Sequence, residues 1–200
     1  MTLDRFYPIV DSADWVRRLV GVGARLIQLR LKDKDETTIL NETRAALAIC
    51  RSAGAQLIVN DYWRVAIDAG ADFVHLGQGD LDGADMAAIR AHGLKVGMST
   101  HDEAELARAL ALAPDYVALG PIYPTILKAM AFAPQGLARI GEWKRRIGAI
   151  PLVAIGGLNV ERGQACLAAG ADIVSVVTDI TLNADPERRA REWLAATRAP

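Results

Sequence analysis

Cysteine is nearly absent from this sequence: Cys50 and Cys166 are the only two in 200 residues, and no CxxC spacing joins them. Neither a disulfide framework nor a structural zinc site is expected, and a reducing cytoplasm is the natural compartment. Basic residues are scattered rather than striped, and the net charge is only −1. Non-specific binding to nucleic acid or to a membrane surface, which needs concentrated positive charge, is not expected. The longest apolar runs are too short to cross a bilayer, and the opening MTLDRFYPIVDS lacks the features of a signal peptide. No Ser/Gly-rich linker or composition break divides the chain, so residues 1–200 read as one domain. Dinucleotide and Walker-type glycine loops are missing, as is any Ser-His-Asp arrangement. The partners left are small molecules; a homo-oligomer is admitted, with no interface legible in the pattern.

What the chain does have is a rhythm. Short apolar, β-branched runs recur at 6–10, 25–29, 56–60, 73–77, 95–99, 116–120, 152–156 and 173–177, with amphipathic helical patterns between them. Near-continuous apolar strands alternating with helices indicate a parallel sheet covered on its outer face. Gly23, Gly54, Gly70 and Gly170 each stand just before a strand, where a left-handed glycine ends the preceding helix. Eight such units predict an α/β fold, a single (β/α)8 TIM barrel, and 200 residues is near its lower size limit. An open doubly wound sheet is the rival. The barrel is preferred because polar residues stand at the C-terminal ends of so many different strands.

Those ends are where a barrel of this kind does its chemistry. In order they carry Gln28, Arg30 and Lys32; Asn60 and Asp61; Gln78 and Asp80; Ser99 and Thr100; Thr125 and Lys128; Gly156 and Gly157; and Thr178. Asp61 and Asp80 belong to adjacent strands and would share one rim. Two carboxylates suit Mg²⁺, with water and substrate phosphate completing its shell. Arg30, Lys32 and Lys128 suit a polyanion. Either Asp alone reads as structural, a helix N-cap more often than a ligand, and it is the pair beside three cations that points to metal and phosphate. Gly156-Gly157 reads as a phosphate-approaching loop or as a tight βα turn. Thr100 to Glu103 reads as a helix start, and His75, mid-strand, as a satisfied interior histidine. Trp15, Trp143 and Trp193 fall in helical stretches and are expected to pack.

The motifs Gln28-Leu29-Arg30-Leu31-Lys32, Val59-Asn60-Asp61, His75-Leu76-Gly77-Gln78-Gly79-Asp80, Gly97-Met98-Ser99, Gly120 to Thr125 with Lys128, and Ala154 to Gly157, in this order and spacing, resemble the thiamine-phosphate synthase family. The resemblance runs from Phe6 to about Leu194. It implies a (β/α)8 transferase that joins hydroxymethylpyrimidine diphosphate to thiazole phosphate, releasing pyrophosphate and thiamine phosphate. It further implies that Gln28, Leu29, Arg30, Leu31 and Lys32, with Asn60, Ser99 and Lys128, hold the pyrimidine diphosphate, and that Arg30, Lys32, Ser99 and Lys128 are catalytic. Asp61 and Asp80 would bind Mg²⁺. Thr125, Ile126 and Leu127, with Gly157, Val177 and Thr178, would hold the thiazole phosphate. Such a dissociative displacement needs cations and donors aimed at the leaving group rather than a nucleophilic Ser or Cys. A thiazole tautomerase-like isomerase and a non-catalytic thiamine-phosphate-binding barrel are the alternatives. Retention of the cations and both carboxylates weighs against the first, because isomerisation has no diphosphate to neutralise.

The sequence departs from the family pattern at Thr178, where Ser is usual and a hydroxyl is kept, and at one loop. Similar proteins read Pro-Thr-x-Thr-Lys, with a second Thr where Leu127 stands. Leu donates no hydrogen bond, so thiazole phosphate should bind more weakly by roughly 1.5–3 kcal/mol, without loss of synthesis. The following apolar residues, Met130 and Phe132 among them, read as a water-excluding lid or as a mark of altered substrate.

Overall fold

The computed structural model describes residues 3–125 and 133–198. Eight parallel strands close into a barrel in sequence order. They are β1 (Phe6–Val10), β2 (Leu26–Leu29), β3 (Gln56–Asn60), β4 (Phe73–Leu76), β5 (Lys95–Thr100), β6 (Tyr116–Leu119), β7 (Leu152–Ile155) and β8 (Ile173–Val176). Helices α1 (Ala13–Gly21), α2 (Glu36–Ser52), α3 (Trp63–Ala69), α4 (Met86–Ala91), α5 (Glu103–Ala111), α6 (Gly136–Ile147) and α7 (Val160–Ala168) connect them. A single turn, α8 (Thr178–Thr181), and the longer α9 (Pro186–Arg198) follow β8. The eight apolar runs are thus the eight strands, and the barrel expectation holds. Four strands, β4, β6, β7 and β8, stop a residue earlier than the apolar run suggests. β5 instead runs one residue further, to Thr100, and α5 starts at Glu103 with the Asp102 side chain accepting from Glu105 N–H.

Gly23, Gly54, Gly70 and Gly170 all have positive φ, from 65° to 108°, which L side chains rarely tolerate. Serine or acidic N-caps start several helices: Ser12 for α1, Asp35 for α2 and Asp85 for α4 each accept from an N–H in the first turn.

Closure divides the core in two. Outward-facing strand residues such as Ile27, Leu29, Leu57, Val74 and Leu119 pack under the helices. A smaller inner cluster, Tyr7, Leu26, Ile58, Phe73, Tyr116, Ala118, Val153 and Ile173, fills the barrel. In such barrels alternate strands supply successive inner layers of four side chains. Odd strands place Tyr7, Ile58 and Val153 in one layer, and the fourth position is Gly97 on β5. A Cβ there would lie inside the Tyr116 ring, 2.5 Å from Cε2, so the missing side chain makes room for that ring. The next even-strand layer is polar: Gln28, His75 and Ser175, with Ala118, are the inward residues of β2, β4, β8 and β6, and all four reach the cavity above.

At the N-terminal end of the barrel, carboxylates bind strand to strand. Asp115 accepts from Val96 N–H at 2.7 Å and from Arg90 at 2.6 Å. Asp172 repeats the device one pair on, accepting from Leu152 N–H at 2.8 Å and from Lys144 at 2.6 Å. Because α8 is one turn long, α9 covers the β8–β1 side. Trp193 stacks on Phe6, centroids 5.8 Å apart, and fits the space left by Gly163. Its indole N–H donates to Asp179, which also pairs with Arg189. Trp143 is likewise fully buried, and Trp15 is half-buried, as packing residues should be.

Candidate active site

At the C-terminal end of the strands lies a cavity of about 370 Å³, bounded by residues from β1 to β8. Gln28, Arg30, Asn60, Ser99, Thr125, Gly157, Val177 and Thr178 all line it. Sequence spacing alone separates them by up to 150 residues; barrel closure brings them to one opening. A larger hollow at the other end is lined by Arg5, Lys95, Asp115 and Asp172. Its two carboxylates are already committed to strand N–H groups.

The β2 end shows how alternation sorts a motif. Gln28 and Arg30 point into the barrel mouth, whereas the side chains of Leu29 and Leu31 are buried in the outer core. Any contact of those two leucines with a ligand would therefore run through their backbone. The Arg30 N–H donates to Val10 O at 2.8 Å, extending the β1–β2 ladder past the strand end. Its guanidinium has no ion pair among the described residues, leaving its charge available at the mouth.

Lys32 Nζ lies 2.5 Å from Asp61 Oδ2. Asp61 is not a helix cap: Tyr62 occupies the N-cap position of α3 and has no capping side-chain bond. Asp61 instead takes a left-handed backbone, φ 63°, with its N–H on His75 O at 2.9 Å. That conformation is unusual outside glycine and turns the carboxylate back over the rim. Asp80 arrives from the next loop, its Oδ2 accepting from Gly77 N–H at 3.1 Å. Burial and then the neighbouring Asp61 charge hold the Asp80 carboxyl above its ordinary pKa. Two carboxylates that repel one another beside a single lysine are a set that a hard divalent cation would relieve. No group of three or more His, Cys, Asp or Glu forms a metal cluster among the described residues. A cation held by this pair would therefore take its other ligands from water or from a bound anion.

Below the mouth, the polar layer is closely bonded. His75 contacts Ser99 Oγ through Nε2 at 2.9 Å and Tyr116 Oη through Nδ1 at 2.7 Å. It is the satisfied interior histidine expected, but it also lines the cavity. Burial, with Arg30 adding to it and Asp61 opposing, lowers its pKa to about 4, so the ring is neutral near pH 7. Gln78 faces the strand instead, donating to Ser99 O at 2.7 Å. Thr100 is fully buried and bonded to Trp143. Two buried groups at the cavity have no partner among the described residues, Asn60 Nδ2 and Ser175 Oγ. Ser175 is a cavity residue that the strand-end pattern does not single out. Its signal is a single polar residue inside an apolar run, the same signature that Gln28 carries in β2.

Gly156 and Gly157 have φ 101° and 67°. A Cβ on Gly156 would sit 2.6 Å from Pro121 Cα, and one on Gly157 would overlap the Pro124 carbonyl. The β6 and β7 loops are joined there by Ile122 N–H on Ile155 O (2.9 Å) and Tyr123 N–H on Gly156 O (3.0 Å). These glycines thus allow a tight turn and a close loop contact, and Gly157 still borders the cavity beside Thr125. Ile126, Leu127 and Lys128, with Met130 and Phe132, lie outside the described residues.

A family model described as thiamine monophosphate synthase matches residues 6–180. A thiamine-phosphate synthase of Rhizobium etli is 62% identical over 197 residues, covering 98% of this chain and 97% of that one. Its counterpart in Salmonella typhimurium is 48% identical over 189 residues, covering 94% and 90%. Among solved structures, a thiamine phosphate pyrophosphorylase from Pyrococcus furiosus superposes with a TM-score of 0.84 at 25% identity, covering 96% of this chain and 95% of that one.

Proposed function

This chain belongs to the thiamine monophosphate synthase family, and we propose that the cavity at the strand C-termini is where it joins a pyrimidine diphosphate to a thiazole phosphate. It is a transferase, a thiamine-phosphate synthase. The observation that carries the site reading is the meeting of Asp61, Asp80 and Lys32 beside His75, which with Arg30 lines the cavity although those three do not.

On this reading Gln28, Arg30, Lys32, Asn60 and Ser99 bind the pyrimidine diphosphate, with Lys128 a further cation. Thr125, Ile126, Leu127, Gly157, Val177 and Thr178 bind the thiazole phosphate. Leu29 and Leu31 contribute backbone only. Asp61 and Asp80 would hold Mg²⁺, which when bound supplies charge neutralisation to the diphosphate. The residues do the rest. Arg30 and Lys32 counter the charge that grows on the departing oxygens, and Ser99 donates a hydrogen bond to them. The enclosed polar floor orients the pyrimidine ring, whose methylene carbon is released as a ring-stabilised cation. Apolar walls such as Ile155 and Val177 keep water from that carbon until the thiazole nitrogen attacks it. The product is thiamine phosphate, and pyrophosphate leaves. The fold has no helix long and apolar enough to cross a membrane among its described residues, and the substrates are small molecules. We place the enzyme in the cytoplasm and leave a homo-oligomer open.

The test mixes the protein with both substrates and Mg²⁺ and follows thiamine phosphate and pyrophosphate together. Equimolar, EDTA-sensitive formation of both, lost in Asp61→Ala and Asp80→Ala, is expected. Full turnover by either variant would remove the carboxylates from the metal role.

A further inference from the structure

We propose that Gln28, Tyr7, Tyr116 and His75 form a one-way hydrogen-bond relay under the cavity that sets the Ser99 hydroxyl as a donor to the bound substrate. The inference rests on the proposed function, in which Ser99 faces the diphosphate substrate. Five inward side chains from five strands make four consecutive contacts. Gln28 Nε2 donates to Tyr7 Oη at 2.7 Å, and Tyr7 Oη lies 2.9 Å from Tyr116 Oη. Tyr116 Oη lies 2.7 Å from His75 Nδ1, and His75 Nε2 lies 2.9 Å from Ser99 Oγ.

Proton counting gives the chain a direction. The amide nitrogen of Gln28 can only donate, so the Tyr7 oxygen accepts, and with Tyr116 its one other partner among the described residues, its proton passes to Tyr116. Tyr116 then has its own proton for His75 Nδ1. A neutral imidazole that accepts at Nδ1 carries its hydrogen on Nε2 and gives that bond to Ser99. Ser99 Oγ is thereby an acceptor toward the protein, and its hydroxyl proton is left for the cavity. Turning the Gln28 amide over would reverse all four bonds and spend the serine proton on His75. Phosphate oxygens accept only, and a hydroxyl already accepting a hydrogen bond is a better donor. The direction that the Gln28 amide sets is therefore the one an anionic ligand requires.

The surroundings preserve the relay. Burial raises both phenol pKa values, so Tyr7 and Tyr116 stay protonated. Tyr116 stacks on His75, centroids 5.6 Å apart and planes within 14°. It crosses β5 to reach that histidine through the space Gly97 leaves empty. Tyr116 does not line the cavity, so it is a positioning residue rather than a catalytic one.

The first test is ¹⁵N NMR of histidine-labelled, ligand-free protein near neutral pH, with signals assigned through His92→Gln and His101→Gln. The Nε2–H tautomer is expected for His75; the Nδ1–H tautomer would overturn the direction. This readout needs no turnover, so it is separate from whether the protein makes thiamine phosphate. The second test is Tyr116→Phe, which keeps the ring packing. It should lose the single tautomer and lower kcat/KM for the pyrimidine diphosphate by roughly 10- to 100-fold. The KM for thiazole phosphate should stay within about twofold. Unchanged tautomer and kinetics in a folded Tyr116→Phe would refute the relay. Should that variant not fold, the wild-type spectrum decides.

Discussion

Replacing Gly157 by Ala separates two ways in which a glycine can matter. The residue has φ 67°, and an L side chain in that left-handed region costs about 1–2 kcal/mol. Gly54, at the far end of the barrel between α2 and β3, has nearly the same φ, 65°, with nothing within 4 Å of a built Cβ. Gly54→Ala thus measures backbone strain alone. For a chain of this size that is a fall in Tm of about 2–8 °C, with activity unchanged. Gly157→Ala carries the same strain plus a collision. Its Cβ would fall 2.9 Å from both the Cβ and the carbonyl oxygen of Tyr123, and closer still to Pro124 O. Ordinary contact is about 3.5–4.0 Å, so the loop must retreat by roughly 1 Å. The Tyr123 N–H to Gly156 O bond resists that movement. Overpacking of this kind costs about 1–3 kcal/mol more. Because the loop carries Thr125, a shift of this size should cut kcat/KM for thiazole phosphate by roughly 10- to 100-fold, with the pyrimidine diphosphate KM nearly unchanged. Thermal unfolding and steady-state kinetics on the pair decide it. Equal Tm and equal kinetics for the two variants would refute the close-approach argument and leave Gly157 an ordinary turn residue.

Three other outcomes can be checked directly. Ser175→Ala removes a buried hydroxyl that has no partner among the described residues, so Tm should rise by a few degrees, about 1 kcal/mol; a fall in Tm would show that the hydroxyl is satisfied. His75 binds a proton near pH 4 when folded, whereas an unfolded histidine does so near 6.5. Between those values the unfolded state takes up more protons. His75 should therefore subtract stability as pH drops through that window, on the order of 3 kcal/mol by its lower end. Urea unfolding of wild type and His75→Gln at pH 7 and pH 5 reads the difference, and parallel pH slopes would contradict it. Leu127→Thr should lower the thiazole phosphate KM by roughly tenfold or more, the worth of one charge-assisted hydrogen bond; an unchanged KM would show that Leu127 does not weaken that substrate's binding.

The strands and most of the rim are legible in the amino-acid order alone, because β-branched runs and the glycines preceding them are local signals. Asp61 is legible as a carboxylate at a strand end, but its left-handed turn toward Asp80 is not, since no residue type announces it. The floor is harder. Both faces of these strands are buried, so the period of two that separates inward from outward positions is hidden in apolar runs. Leu29 and Gln28 look equivalent in sequence until closure sends one to the helices and the other to the cavity. Tyr7 and Tyr116 read as core residues for the same reason, and only the void at Gly97 reveals why the second is tyrosine. Single polar residues in apolar strands, His75 and Ser175, carry the available hint.

The carboxylates at the N-terminal end of the barrel bear on how this protein tolerates change. Asp115 and Asp172 fasten neighbouring strands from below, through Val96 and Leu152, and anchor the α4 and α6 helices through Arg90 and Lys144. None of these links passes through a loop at the cavity end. Loop residues there can be exchanged for others without loosening the fasteners, so substrate preference is free to drift while the scaffold stays shut. Reshaping the catalytic rim by mutagenesis should therefore cost selectivity before it costs the barrel.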